Sequence, residues 1–141
     1  VLIVTLPQEG AADSRQTLSA EGMDLVSLIA PTTADRRARE IATTGSGFLY
    51  YVSLKGTTGS GALAVDEVAE RMSFLQTLTN VPICVGFGIK DAKSAAAVSA
   101  HADGVVVGSA LVQLMADSPD PATASQRLQT ATADIRNGLD G

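Results

Sequence analysis

The sequence predicts an α/β fold: a partial (β/α)8 barrel in which five parallel strands are present. Three observations carry that expectation. Short β-rich runs alternate with helical patterns along the whole chain. The runs are apolar on both faces, as parallel strands buried between layers are. The last two enter glycine turns, Gly86-Phe87-Gly88-Ile89 and Gly108-Ser109-Ala110-Leu111, and a short helical pattern follows the second. Barrels of this class frequently build a phosphate site there, from the loops after the last two strands and a short extra helix.

The elements follow in order. Strands are expected at Val1–Thr5, Leu25–Ala30, Phe48–Ser53, Pro82–Val85 and Gly104–Val107. A first helix spans Glu9 to Glu21, opened by Pro7 and closed by Gly22. A second spans Thr33 to Thr43, with Thr32 or Thr33 as N-cap and Gly45 past its end. The clearest pattern is Val65 to Leu78. There Val65, Val68, Met72 and Leu75, flanked by Phe74 and Leu78, recur at helical spacing, and Asp66, Glu67, Glu70 and Arg71 stay outside. Asp91 caps Ala92–Ala100. Ser109 to Met115 forms the short extra helix, and Ala122 to Arg136 a final one after the break at Asp117–Pro121.

The 141 residues suffice for one domain. A closed barrel needs eight strands and roughly 200 residues or more. Residue 1 is Val, inside a strand-like run, so residues 1–141 are expected to be the C-terminal part of a single barrel domain whose N-terminal strands lie upstream. Such a segment is expected to be marginally stable, with open sheet edges that favour self-association.

Apolar content of 45% and charged content of 18% describe a globular protein. A net charge of −5, with no basic stripe, argues against nucleic-acid binding. No apolar run is long enough to span a bilayer, and no signal peptide opens the sequence. The single cysteine, Cys84, permits no intrachain disulfide, which fits a reducing cytoplasm.

Reacting groups in such barrels sit at the C-terminal ends of the strands. Those ends are Thr5, Ala30, Ser53, Gly86 and Gly108, and none is acidic or basic. The segment therefore offers walls and anion contacts but no general acid or base. The lone His101 ends a helix at the opposite end of its unit, as a helix C-terminal residue with a favourable dipole contact. Cys84 packs in a strand, and no His/Cys/Asp cluster has metal-ligand spacing. No cofactor is expected, because the glycine turns lack the third glycine of a dinucleotide fingerprint. Tyr50 and Tyr51 must point to opposite faces of their strand. Ser53 to Gly61 is polar, glycine-rich and at the functional end, where a lid is expected over the alternative of a merely flexible loop, and Lys55 is expected to be an exposed lysine, with contact to an anion as the alternative.

Tyr50-Tyr51-Val52-Ser53-Leu54-Lys55-Gly56-Thr57-Thr58-Gly59, Val85-Gly86-Phe87-Gly88-Ile89 and Val107-Gly108-Ser109-Ala110-Leu111-Val112 resemble the tryptophan synthase α subunit family. Leu6-Pro7-Gln8-Glu9 and Ala30-Pro31-Thr32-Thr33 match it as well, so the resemblance covers essentially the whole chain. It implies a TIM barrel of the ribulose-phosphate-binding type, present from about its fourth strand onward. It implies a lyase of tryptophan biosynthesis that splits indole-3-glycerol phosphate into indole and glyceraldehyde 3-phosphate by a retro-aldol reaction. The family's catalytic Glu and Asp would precede residue 1, so the segment alone is expected to be inactive.

By the same resemblance, Gly59, Gly88, Gly108 and Ser109 hold the substrate phosphate. Leu2, Leu28, Tyr50, Phe87 and Val106 line the indole pocket, with Tyr50 in a supporting catalytic role. Lys55, Gly56 and Thr58 belong to the lid loop. The implied partner is the β subunit, in an α2β2 heterotetramer in the cytoplasm. Thr5 stands where the family usually carries Asp, a position linked to subunit contact, and Thr57 replaces the commoner Val. Two alternatives remain. One is another phosphate-binding barrel enzyme, which would be expected to place a charged residue on one of these strand ends. The other is a non-catalytic module that binds a phosphate compound and a partner.

Overall fold

The computed structural model describes residues 1–3, 10–53, 61–86 and 88–140. Four strands form one parallel sheet in sequence order: β1 (Ser27–Ile29), β2 (Leu49–Val52), β3 (Ile83–Gly86) and β4 (Gly104–Val106). The helices are α1 (Ala11–Ala20), α2 (Asp35–Thr44), α3 (Gly61–Gln76), α4 (Ala92–Ser99), α5 (Ser109–Ala116) and α6 (Pro121–Asp140). Each pair of adjacent strands is joined through one helix, the connection that parallel pairing requires.

Four paired strands replace the five expected. Among the described residues, the Val1–Thr5 run makes only a single bridge, Leu2 to Val26. The Val26 amide donates to the Val1 carbonyl at 2.8 Å. Val1, Leu2 and Ile3 stay exposed, so little apolar burial holds them to the sheet edge.

The register decides which side chains share a face. Leu28 pairs with Tyr50, Tyr50 with Cys84, and Cys84 with Gly104. Alternation then divides the sheet. Ile29, Leu49, Tyr51, Ile83 and Val85 are buried under helices, where Ala38, Ile41, Val68, Met72, Leu75, Ala95 and Val98 complete the core. Leu28, Tyr50, Val52, Cys84, Gly86, Gly104 and Val106 occupy the other face and are only half-buried. Helices on one face alone mark a barrel sector rather than a doubly wound sheet.

Several helix ends differ from expectation. The N-cap of α2 is Ala34, with no side-chain cap. Thr33 instead turns back, its Oγ1 accepting from the Ala30 amide at 3.0 Å. α3 begins before Val65, and α6 runs on to Asp140. α6 extends because Gly138 lets it lie against α4. A Cβ there would sit 2.6 Å from the Ala92 carbonyl oxygen. Arg71, expected to face outward, is drawn in between helices. Its guanidinium meets the Asp35 carboxylate at 2.6 Å, donates to the Thr33 carbonyl at 2.8 Å and lies 4.9 Å from the centre of the Phe74 ring. Cation–π attraction and the Asp35 charge together offset the loss of hydration.

Candidate functional site

Parallel strands all end at the same side of the sheet, and the two glycine turns lie there. Gly86 and Val106 are the last paired residues of β3 and β4. Two residues further along each strand come Gly88 and Gly108. Neighbouring strands run about 4.8 Å apart, so the two turns leave the sheet side by side. Gly88 has φ +59°, a left-handed conformation that a residue with a Cβ rarely adopts. Gly108 is the N-cap of α5 and is exposed, with open space where a Cβ would stand. Ser109 opens α5 and is also exposed.

The two turns offer an anion different things. After the first, α4 is already capped. The Asp91 carboxylate accepts from the Ser94 amide at 2.8 Å, and Ser94 Oγ accepts from the Asp91 amide at 3.1 Å. The Ser94 hydroxyl also donates to the Asp91 carboxylate at 2.6 Å, and that bond, then the one from the Ser94 amide, holds the Asp91 carboxyl below the usual aspartate range, with Lys90 and Lys93 adding to the shift. The start of α4 is therefore neutralised from within, and Gly88 contributes as a loop residue. Elsewhere, α1 and α2 carry Asp13 and Asp35 in their first turns. Asp120 accepts from the Thr123 amide at 2.9 Å at the start of α6, and its carboxyl is likewise shifted down by hydrogen bonds from Thr123. Of α1, α2, α4, α5 and α6, only α5 starts without a carboxylate at or within its first turn. The Leu111 and Val112 amides donate to the Gly108 carbonyl at 3.0 and 3.1 Å, and the N–H groups of Ser109 and Ala110 before them are the ones α5 presents to an anion.

The half-buried sheet face continues from that end. Leu28 and Tyr50 stand opposite each other on β1 and β2, and Val106 stands opposite Gly86. The Tyr50 ring lies across Gly86. A Cβ on Gly86 would be 2.7 Å from the Tyr50 Oη. Gly104 likewise leaves room for Cys84, whose Sγ would be 3.0 Å from a Cβ at that position. The face carries no charged side chain. An uncharged wall lined by Leu28, Tyr50, Val52 and Val106 suits a flat apolar group rather than an ion.

The face joins Leu28, Tyr50 and Val106, expected as pocket residues. Leu2 lies beyond β1, held to Val26 by its bridge and 41% exposed. Phe87, Gly59, Lys55, Gly56 and Thr58 lie outside the described residues. Val52, Cys84 and Gly86 share the face and were not singled out as lining residues. Their alternation with Tyr51 and Val85 was the available signal.

Burial, and then the Asp103 charge, push the Cys84 thiol up, which keeps it protonated. His101 lies past the C-terminal end of α4, its carbonyl accepting from Gln76 Nε2 at 3.3 Å, far from the glycine turns along the strand direction. No group of three His, Cys, Asp or Glu side chains placed to hold a metal occurs among the described residues. The described strand ends, Ala30, Ser53, Gly86 and Gly108, supply no proton-transfer group. No helix of the described residues is long and apolar enough to cross a membrane.

The family model described as tryptophan synthase alpha chain matches residues 1–139. A tryptophan synthase alpha chain of Dechloromonas aromatica is 46% identical, covering 99% of this chain and 52% of its own length. That of Psychrobacter arcticus is 43% identical with the same coverage. The crystal structure of tryptophan synthase subunit alpha from Legionella pneumophila superposes with a TM-score of 0.82 at 31% identity, covering 99% of this chain and 51% of that one. The chain thus spans about half the length of the relatives it matches.

Proposed function

Because this chain belongs to the tryptophan synthase alpha chain family, we propose that it forms the phosphate-anchoring half of an indole-3-glycerol phosphate lyase. The observation that carries this reading is the start of α5, with no carboxylate in its first turn and side by side with the Gly88 turn. A phosphate monoester is nearly doubly charged at neutral pH. A helix start favours a negative charge by about 0.3–1 kcal/mol when exposed, and up to about 2 kcal/mol when partly buried. Gly108 admits close approach of the backbone, and the Ser109 hydroxyl adds a donor. In the same reading, the indole ring lies against Leu28, Tyr50 and Val106, with Leu2 and Phe87 as further pocket residues. Gly59 joins the phosphate shell, and Lys55, Gly56 and Thr58 close over the substrate.

Retro-aldol cleavage needs one group to protonate the indole carbon that leaves and another to take a hydroxyl proton. The described strand ends hold neither. The reaction therefore belongs to the full-length parent, whose catalytic Glu and Asp come from the other half of the barrel, with Tyr50 in support. Association of that parent with a β subunit in an α2β2 complex, and a cytoplasmic location, are parts of the same reading drawn from family membership. The test is a titration of this chain with glycerol 3-phosphate followed by backbone amide resonances. The reading expects saturable shifts at Gly88, Gly108 and Ser109; shifts absent there, or confined to other helix starts, would overturn it.

A further inference from the structure

We infer that Gly138 is a positioning residue for the phosphate site: through it, α6 holds the Gly88 turn at a fixed spacing from the start of α5. The inference rests on the phosphate reading of the two turns. α6 packs against both helices that follow them, α4 after Gly88 and α5 after Gly108. Towards its start, Arg127 Nη1 donates to the carbonyl of Asp117, the C-cap of α5, at 3.1 Å. Towards its end, Gly138 lies on Ala92, the first residue of α4. Between them α6 is one continuous hydrogen-bonded helix, which keeps the two contacts at a set distance.

The contact at Gly138 leaves no slack. A Cβ there would meet the Ala92 carbonyl oxygen at 2.6 Å and the Ala92 Cα and Cβ at 2.9 Å each. The oxygen and the Cα belong to the backbone and cannot turn aside as a side chain can. Glycine is a poor helix former, so its place here reflects close approach rather than helix preference. From Ala92 the contact reaches the turn through a short, tied segment. Ser94 Oγ accepts from the amides of both Lys90 and Asp91, each at 3.1 Å. Ile89 before them is buried in the core, and Gly88 precedes it with its left-handed backbone. Residues 88–94 therefore move as one unit, and displacing Ala92 shifts Gly88 with it. A phosphate held by donors from two turns senses their separation, because hydrogen bonds weaken steeply when stretched or bent.

Amide-resolved titration with glycerol 3-phosphate tests this on the 141-residue chain in its native, Gly138→Ala and Gly45→Ala forms. Gly45 is the control. A Cβ there would meet Leu49 Cδ2 at 2.7 Å, a comparable clash ahead of β2, at the opposite end of the sheet from the turns. Gly138→Ala should move the Gly88 amide resonance in the free chain. It should also weaken glycerol 3-phosphate binding about tenfold, as for loss of one hydrogen bond to a charged group. Gly45→Ala should lower stability and leave both the affinity and the Gly88 resonance unchanged. Native affinity in Gly138→Ala, or an equal loss in Gly45→Ala, would overturn the inference. So would an unmoved Gly88 resonance in free Gly138→Ala, whatever the ligand does. If the native chain binds no glycerol 3-phosphate while that resonance moves, it is the phosphate reading that fails, and the link from Gly138 to the turn holds. Should Gly138→Ala not fold, Ile135→Ala trims the buried side chain of α6 beside Asp91 and Ala92 and should give the same selective loss. Native affinity in that variant would overturn the inference as well.

Discussion

The Tyr50 ring fills the space that a side chain at Gly86 would need: a Cβ on Gly86 would lie 2.7 Å from the Tyr50 Oη and 2.8 Å from its Cε2. The two residues come from neighbouring strands, one pleat apart in register. The absence of a side chain at position 86 therefore sets where the Tyr50 hydroxyl points.

Gly86→Ala should displace the Tyr50 ring and destabilise the chain by about 1–3 kcal/mol, the usual cost of overpacking. Combining it with Tyr50→Val removes the clash. The double variant should be less destabilised than the sum of the two single ones, with a coupling of about 0.5–3 kcal/mol in chemical denaturation. Additive effects would show that the ring does not rest on Gly86.

Ser109→Asp places a carboxylate in the first turn of α5, which has none. It should abolish glycerol 3-phosphate binding through like-charge repulsion. Ser109→Ala should weaken binding about tenfold or more, from loss of a hydrogen bond to a charged group. Calorimetric titration checks both. Unchanged affinity in both variants would remove α5 from the phosphate site.

Asp91 and Asp120 have carboxyl groups held below their ordinary value by the helix amides and hydroxyls they accept from. A lowered folded-state value stabilises the chain above the unfolded value of about 3.9, and the contribution is lost as pH falls through the lowered one. Asp91→Ala should therefore lower Tm at neutral pH and lose its effect in strong acid. Thermal melts from neutral to acidic pH test this; a Tm deficit of constant size across that range would contradict it.

Met72 and Leu75 are fully buried under the sheet. Truncation of either to Ala should cost about 2–5 kcal/mol. Native stability is itself of order 5–15 kcal/mol for whole domains, so a half-barrel core should lose its cooperative melt. A variant that still melts sharply near the native Tm would show that α3 is not part of the core.

Local rules made much of this legible in the sequence. Period-two alternation put Tyr50 and Tyr51 on opposite faces, and the family resemblance put Tyr50 on the pocket side; the structure buries Tyr51 in the core. The position of Asp91 before an alanine-rich stretch announced its cap, and the capping box with Ser94 followed. What stayed hidden depends on partners distant along the chain. Arg71 looked like an outer-face residue because Asp35 and Thr33, which draw it inward, belong to the preceding strand–helix unit. The sequence marks Gly86 as a turn, and its role beneath Tyr50 needs the register of two separated strands. Apolar β-propensity at Val1–Thr5 predicts a fifth strand, whereas a lasting strand needs a covered face, which Leu2 and Ile3 lack among the described residues.

The proposed function is to anchor indole-3-glycerol phosphate without transforming it. The most direct measurement exposes the purified chain to indole-3-glycerol phosphate and follows amide shifts and indole release in the same sample. Saturable shifts at Gly108 and Ser109 with no indole formed are expected. Release of indole by the chain alone, or the absence of shifts at those residues, would contradict it.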